Sequence, residues 1–435
     1  MLTAIGVILF VLGLLFSIAW HELGHLTFAK IFGVRVTQYM VGFGRTLFSR
    51  QRGETEYGLK AIPLGGYIRM VGMVPPGKDG RQRISSTAMG PAGMVRQLIE
   101  DSRAGDRAQV TELDDGRQFY QLHPFKRIIV MVAGPVQNLI LAVVLFIVIV
   151  VGIGLPTSIP TVGTVSRCVL PATSTSPVCT ATDQPTPAAR AGLLAGDRIV
   201  SFAGTEITSW DQMRVLIRAS AGREVSLTYE RAGVQTTVQV PIVQNTLAVT
   251  DDQGTQIGTT LGGFLGITAQ TEYQSQSVGE AFVMTGQFIG RAAHAVVTIP
   301  ARIPDLWDSI FNGKARDQNS PVGIVGAGVI SGEILSSDTA AKDKISLFLQ
   351  LLAGFNMSLF LLNLLPLLPL DGGHILGAVI EWVRRGWSKV RRRADPGPFD
   401  VAKLMPVAYV VALLFIGLSV LTFVADVVNP VKLFG

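Results

Sequence analysis

The chain has 435 residues, 48% hydrophobic and 16% charged, with a formal net charge of +6. That balance is too apolar for an ordinary soluble protein and indicates an integral membrane protein with a soluble part. The basic excess needs no nucleic acid partner, because Lys and Arg concentrate beside apolar stretches, where they orient a chain in a bilayer. Four stretches, residues 2–29, 128–155, 345–370 and 404–424, are long enough to cross the hydrocarbon layer.

Residues 1–30 read as the first spanning helix. Near its end stands His21-Glu22-Leu23-Gly24-His25. On a helix the two histidines lie four residues apart on one side and can share one metal, with Glu22 placed to deprotonate a bound water. A charge at the bilayer centre costs roughly 2.5–3.5 kcal/mol, so these groups are expected to be paired and in use. The segment does not read as a cleavable signal peptide: it lacks a basic start, and the motif occupies the place where a cleavage site is expected. Residues 31–75 read as a membrane-associated β region punctuated by Val41-Gly42-Phe43-Gly44 and Pro63-Leu64-Gly65-Gly66-Tyr67. Gly65, Gly66 and Tyr67 are candidates for holding an extended substrate by strand addition; a hairpin that merely connects spans is the plainer reading. Residues 76–127 read as a polar cytoplasmic excursion, helical near 94–101, with no identifiable chemistry.

A second span covers 128–155. Residues 31–127 carry 15 Lys+Arg against 9 Asp+Glu, and 156–344 carry 13 against 16, so the former side is expected to be cytoplasmic. The chain's only two cysteines, Cys168 and Cys179, then fall outside, where a disulfide is expected, two unpaired thiols being the alternative. Residues 160–244 read as a small α+β module. Its Ala191-Gly192-Leu193-Leu194-Ala195-Gly196-Asp197-Arg198-Ile199 segment resembles bacterial PDZ domains, which implies either peptide capture or a size filter. Residues 245–344 read as an extracytoplasmic linker with an amphipathic surface segment, 278–311, broken by Pro300 and Pro304. His294 within it reads as a solvated surface histidine.

The third span, 345–374, ends in Asn363-Leu364-Leu365-Pro366-Leu367-Leu368-Pro369-Leu370-Asp371-Gly372-Gly373-His374. Catalytic zinc takes three protein ligands and keeps one position open. Asp371 is the candidate for the third, because an unpaired carboxylate at the end of an apolar span is costly. The prolines, Pro366 foremost, open the helix where substrate can meet freed backbone groups. Asn363 can donate to a developing oxyanion or hold substrate backbone, a helix–helix hydrogen bond being the plainer alternative. His374 is not expected as a fourth ligand, and Asn138 and Asn356 read as packing residues. A basic cytoplasmic loop follows at 375–403. Its run Arg384, Arg385, Lys389, Arg391, Arg392, Arg393 is suited to anionic lipid. A fourth span, 404–425, and a tail, 426–435, complete the chain.

The fold class expected is a polytopic α-helical membrane protein of about four transmembrane helices, with a membrane-associated β-hairpin or sheet and an extracytoplasmic α+β PDZ-like domain. The combined pattern closely resembles the site-2 protease family, intramembrane zinc metalloproteases. The resemblance runs over HELGH, Val41–Gly44, Pro63–Tyr67, Gly134-Pro135-Val136-Gln137-Asn138, Pro321-Val322-Gly323-Ile324-Val325-Gly326-Ala327 and Asn363–His374. The order of motifs is similar to the bacterial regulator-of-sigma-E protease type. The two cysteines and Asp426-Val427-Val428-Asn429-Pro430 look like its actinobacterial branch. Two departures stand out: Pro369 follows Pro366 by three residues rather than two, and one PDZ-like module is found where two are common.

The resemblance implies zinc held by His21, His25 and Asp371, Glu22 as general base, and Asn363 at the oxyanion. It implies a multi-pass protein of a bacterial cytoplasmic membrane with its active site toward the cytoplasm. It also implies single-span membrane substrates such as anti-sigma factors or signal-peptide remnants, already cut outside by an upstream site-1 protease. The competing readings are a catalytically silent PDZ scaffold, which need hold no zinc, and a metal-ion transporter, for which no span repeat is evident.

Overall fold

A computed structural model describes residues 2–75, 111, 114–170, 179–180, 183–250, 256–317 and 320–433. The helix expected near 94–101 lies outside them. In chain order, α1 (Leu2–Ile31) leads into the antiparallel strands β1 (Val36–Arg52) and β2 (Thr55–Met70), then α2 (Pro124–Ile147), which continues as a wider π-type turn through Val148–Ile153. Next come β3 (Leu155–Val165), the short α3 (Pro187–Arg190), β4 (Arg198–Phe202), β5 (Thr205–Glu206), α4 (Trp210–Ala219) and β6 (Glu224–Arg231). β7 (Val234–Pro241), β8 (Val243–Thr250), β9 (Gln256–Phe264) and β10 (Ile267–Gln274) follow. The chain closes with α5 (Val278–Phe311), α6 (Ile324–Ser336), α7 (Ala341–Asn363), α8 (Asp371–Val390) and α9 (Met405–Val428). Two compact units result: Met1–Gly152 with Ser277–Gly435, and Ile153–Gln276.

In the helical unit, Leu2–Ile31, Ala341–Asn363, Val401–Val428 and the segment opened by α2 are long and apolar enough to cross a membrane. The protein is therefore a multi-pass membrane protein. α1 makes its contacts through small residues and hydroxyls. Ser331 Oγ on α6 donates to Gly6 O at 2.8 Å, and Asn356 on α7 donates to Ser17 Oγ at 2.9 Å, the packing role expected of that asparagine.

The apolar helix α6 was hidden in what reads as a linker. Its first turn is fixed from α9: Asp426 accepts from the Gly323 and Gly326 N–H groups at 2.9 and 2.8 Å, and pairs with Arg316 at 2.8 Å, both side chains buried. α5 runs unbroken through Pro300 and Pro304, contrary to the sequence expectation. Spaced by four, the two prolines share a site in the ladder, since the carbonyl that Pro304 cannot use belongs to Pro300. The third span stops at Asn363 instead of reaching 374, and the expected loop after it begins as α8, because Pro366 and Pro369 exclude helix while Gly372 and Gly373 permit a new start. A Cβ on Gly372 would lie 2.0 Å from Leu365 O, so the connection packs directly against the first turn of α8.

The second unit is a sheet in the order β10-β3-β4-β6-β7, with β5 beside β4 and a separate β8–β9 hairpin. It reaches Gln274, past the expected boundary at 244, because Leu265-Gly266, with Gly266 at φ +87°, turns the chain out of β9 and delivers edge strand β10 to β3. Its core gathers Ile199, Phe202, Met213, Leu227, Val240 and Leu265. Ser209 caps α4 by accepting from Gln212 N at 3.2 Å. Cys168 and Cys179 are joined by a disulfide, Cα atoms 5.9 Å apart.

Asp197 is the polar anchor of this core. It is buried, accepts from Leu194 N at 2.8 Å, and receives two bonds from Arg231 at 2.7 and 2.8 Å. The Arg231 guanidinium holds its carboxyl below the ordinary value of 3.8. A depressed folded value means that the stabilisation is whole above the unfolded value and is lost as pH falls through the folded one. The β unit should therefore loosen in acid. Asp197→Asn should flatten that acid response and, at neutral pH, speed amide exchange in β4 and β6 about tenfold, equivalent to about 1.4 kcal/mol, as read by hydrogen–deuterium exchange on the full chain.

Candidate metal centre

Helical spacing brings His21 and His25 together on the buried side of α1, their Nε2 atoms 3.1 Å apart. Asp371, the first residue of α8, reaches both: its Oδ2 lies 3.2 Å from His21 Nε2 and 3.3 Å from His25 Nε2. These three form a group that can hold a metal ion. A tetrahedral ion bound at about 2.0–2.2 Å sets its ligands roughly 3.3–3.6 Å apart, close to the observed triangle. The donor set, two imidazoles and a carboxylate, is one that zinc takes in catalytic sites.

The imidazoles are also turned correctly. His25 Nδ1–H donates to Val130 O on α2 at 2.8 Å, which leaves its Nε2 lone pair for metal. His21 Nδ1 lies 3.1 Å from the terminal amide of Asn138, also on α2. With the amide oxygen toward the ring, Nδ1–H donates to it, and Asn138 Oδ1, buried and otherwise unpartnered, is satisfied. Asn138 thus supports a histidine instead of only packing. The sequence carries a weak signal of this, since an asparagine in an apolar span needs a partner.

The close approach of α1 to α2 depends on two glycines. A Cβ on Gly134 would fall 2.1 Å from His25 Nε2, and one on Gly24 would fall 2.4 Å from Ala133 O. Trp20 adds a bond to Gln137 O at 2.9 Å. α2 is bolted to α8 as well, through the buried pair Arg127–Glu381, whose carboxylate also accepts from Phe399 N at 2.7 Å and pairs with Arg385 at 3.0 Å. α2 therefore holds both halves of the triad, α1 directly and α8 through an ion pair. Glu381 lies in what reads from sequence as a basic loop, and its partner is too distant in the chain for any local pattern to reveal.

Glu22 borders the same cavity, of about 530 Å³, with Asn363 and His374. β2 forms one wall. Gly65, Gly66 and Tyr67 line it, and a Cβ on Gly66 would sit 3.1 Å from Glu22 Cγ. The Ile68 backbone hydrogen-bonds the Glu22 carboxylate. Asn363, the last residue of α7, also lines it. Pro369 lines the cavity and Pro366 does not: after Asn363 the connection leaves the wall and returns to it at Pro369. His374 is in the wall but outside the group of metal-holding residues.

The family model for peptidase family M50 matches residues 9–394. Zinc metalloprotease Rip1 of Mycobacterium tuberculosis is 35% identical over 444 residues, covering 100% of both chains. The Rip1 proteins of Mycobacterium bovis and Mycolicibacterium smegmatis, at 35% and 32% identity, are covered equally fully.

Asn138→Ala should weaken zinc binding about 10–100-fold, measured by competition with a chromophoric chelator, while Asn138→Asp, which keeps an acceptor for Nδ1–H, should recover most of the loss.

Proposed function

The chain belongs to peptidase family M50 and is a zinc metalloendopeptidase, and on that basis we propose that it cuts single-span membrane proteins such as anti-sigma factors within the bilayer, after a first extracytoplasmic cut. The cut would release a cytoplasmic fragment. The observation that carries this reading is the meeting of His21, His25 and Asp371 in the wall of a cavity that Glu22 also borders, in a unit built of membrane-length helices.

His21, His25 and Asp371 would hold the zinc ion, which would supply Lewis acidity and a water of lowered pKa. Glu22 takes the proton of the attacking water and returns it to the leaving amine nitrogen. Asn363, in the wall of the same cavity, offers its amide N–H to the scissile carbonyl oxygen as negative charge develops there. Gly65–Tyr67 on β2 present a backbone edge along which an unwound segment can pair. The glycines let that edge pass close to Glu22, as the 3.1 Å Cβ approach at Gly66 requires. Pro366 acts at a distance from the cavity by ending α7 and so exposing Asn363 at a helix terminus.

The surplus of Lys and Arg in 31–127 supports a cytoplasmic location for that region and for the zinc-binding end of α1, and the surplus of Asp and Glu in 156–344 supports an outer location for that stretch. An oxidising outer compartment suits the Cys168–Cys179 disulfide. The sheet of the second unit, with α4 beside edge strand β10, supports the PDZ-like reading. Trp210 and Ile217 of α4 and Gly266–Ala269 line one groove there, suited to an extended peptide or to a size filter.

In reconstituted protein with a model single-span substrate, Glu22→Gln should keep its zinc by elemental analysis and lose cleavage by about 10²–10⁴-fold. Full activity in that variant would overturn the peptidase assignment of Glu22. Asn363→Ala should retain zinc and lower kcat by about 10²–10³-fold.

A further inference from the structure

α8 presents two faces. Gly377, Ala378 and Glu381 face the protein, with Glu381 fully buried in its pair with Arg127. The opposite side carries Leu376, Val379, Trp382, Val383, Trp387 and Val390, all exposed, up to 80% at Val390. At 3.6 residues per turn these six fall in one stripe, and Arg384 and Lys389 border it on either side. The Arg391 guanidinium lies 4.5 Å above the Trp387 ring, and Arg392 and Arg393 follow.

An exposed apolar stripe rimmed by cations suits either a protein partner or a bilayer surface, and its position decides between them. The Trp382 ring packs 6.4 Å from that of Phe125, an exposed residue in the first turn of α2. α2 opens a candidate span, so the stripe continues from the level at which a spanning helix leaves the hydrocarbon. Tryptophans beside cationic side chains are what that level favours.

We propose that α8 lies in the headgroup layer of the leaflet where α2 begins, its stripe in the acyl boundary and anionic phospholipid headgroups on Arg384, Lys389 and Arg391–Arg393. Because Asp371 is the first residue of α8, the seated helix also holds this carboxylate against His21 and His25. Lipid charge thereby acts on metal retention. The proposal rests on the metal reading of the site for this second part only; the seating stands on α8 itself.

The test uses the full chain in nanodiscs of phosphatidylcholine, with or without phosphatidylglycerol. Cys168 and Cys179 are paired, so Val383→Cys supplies a single thiol for an environment-sensitive fluorophore. The expected result is quenching by lipids brominated near the headgroup end of the acyl chain, stronger than by lipids brominated deeper. Water-like emission with no quenching in either bilayer would overturn the seating. Release of bound zinc to a chelator should slow when phosphatidylglycerol is added, and Arg384→Gln/Lys389→Gln should reduce that response by roughly an order of magnitude. Equal zinc release in both bilayers with quenching intact would overturn the link to the metal while leaving the seating established. Cleavage is not the readout, so failure of either part is distinguishable from failure of the peptidase reading.

Discussion

The helical unit depends on the satisfaction of three ionisable side chains on a helix whose surroundings are hydrocarbon. His21, Glu22 and His25 are buried there, so other elements must provide most of their partners. α2 supplies most of them: Val130 O to one imidazole, the Asn138 amide to the other, and Arg127 to the Glu381 that anchors α8 and so Asp371. β2 supplies the rest through Ile68. The glycine contact of α1 with α2 follows from this demand, since a methyl group at 134 would occupy the position of a histidine nitrogen.

Rigidity is provided separately at the other end of α1. Ser331 and Gly332 of α6 lie against Gly6 and Thr3, and α6 is capped from α9 by Asp426. A buried pair such as Arg316–Asp426 contributes little net stability beyond a well-packed apolar alternative, but losing one partner is costly, so it fixes the connection between α5 and α6 in one arrangement. In the β unit only the carboxylate is buried: Asp197 is enclosed, whereas its partner Arg231 is partly exposed.

What was legible in the sequence was local or expensive. HELGH is local: two histidines one helical turn apart specify a shared side without knowledge of the fold. Asp371 was legible because a carboxylate ending an apolar span needs a reason to be there. The four spans follow from apolar length. Asn138 was misread because its partner lies 117 positions away and nothing beside it in the chain distinguishes a histidine support from a packing amide. α8 was taken for a loop because its basic residues outweigh its apolar stripe in composition, whereas the stripe shows only as spacing. α6 and the β10 turn were lost for a related reason: Gly-rich segments read as linkers until the surfaces they pack against are known.

The cavity beside Glu22 meets a substrate whose peptide bonds are already committed. A helical segment keeps its peptide groups in internal hydrogen bonds, so a water beside Glu22 reaches the scissile carbonyl only where a turn has opened. Selection among membrane-spanning segments should therefore depend less on which side chains flank the scissile bond than on how cheaply the segment gives up its internal hydrogen bonds. Glycine, proline or asparagine at mid-depth would mark a chain as a good victim, whereas an unbroken run of leucine and alanine would pass by intact.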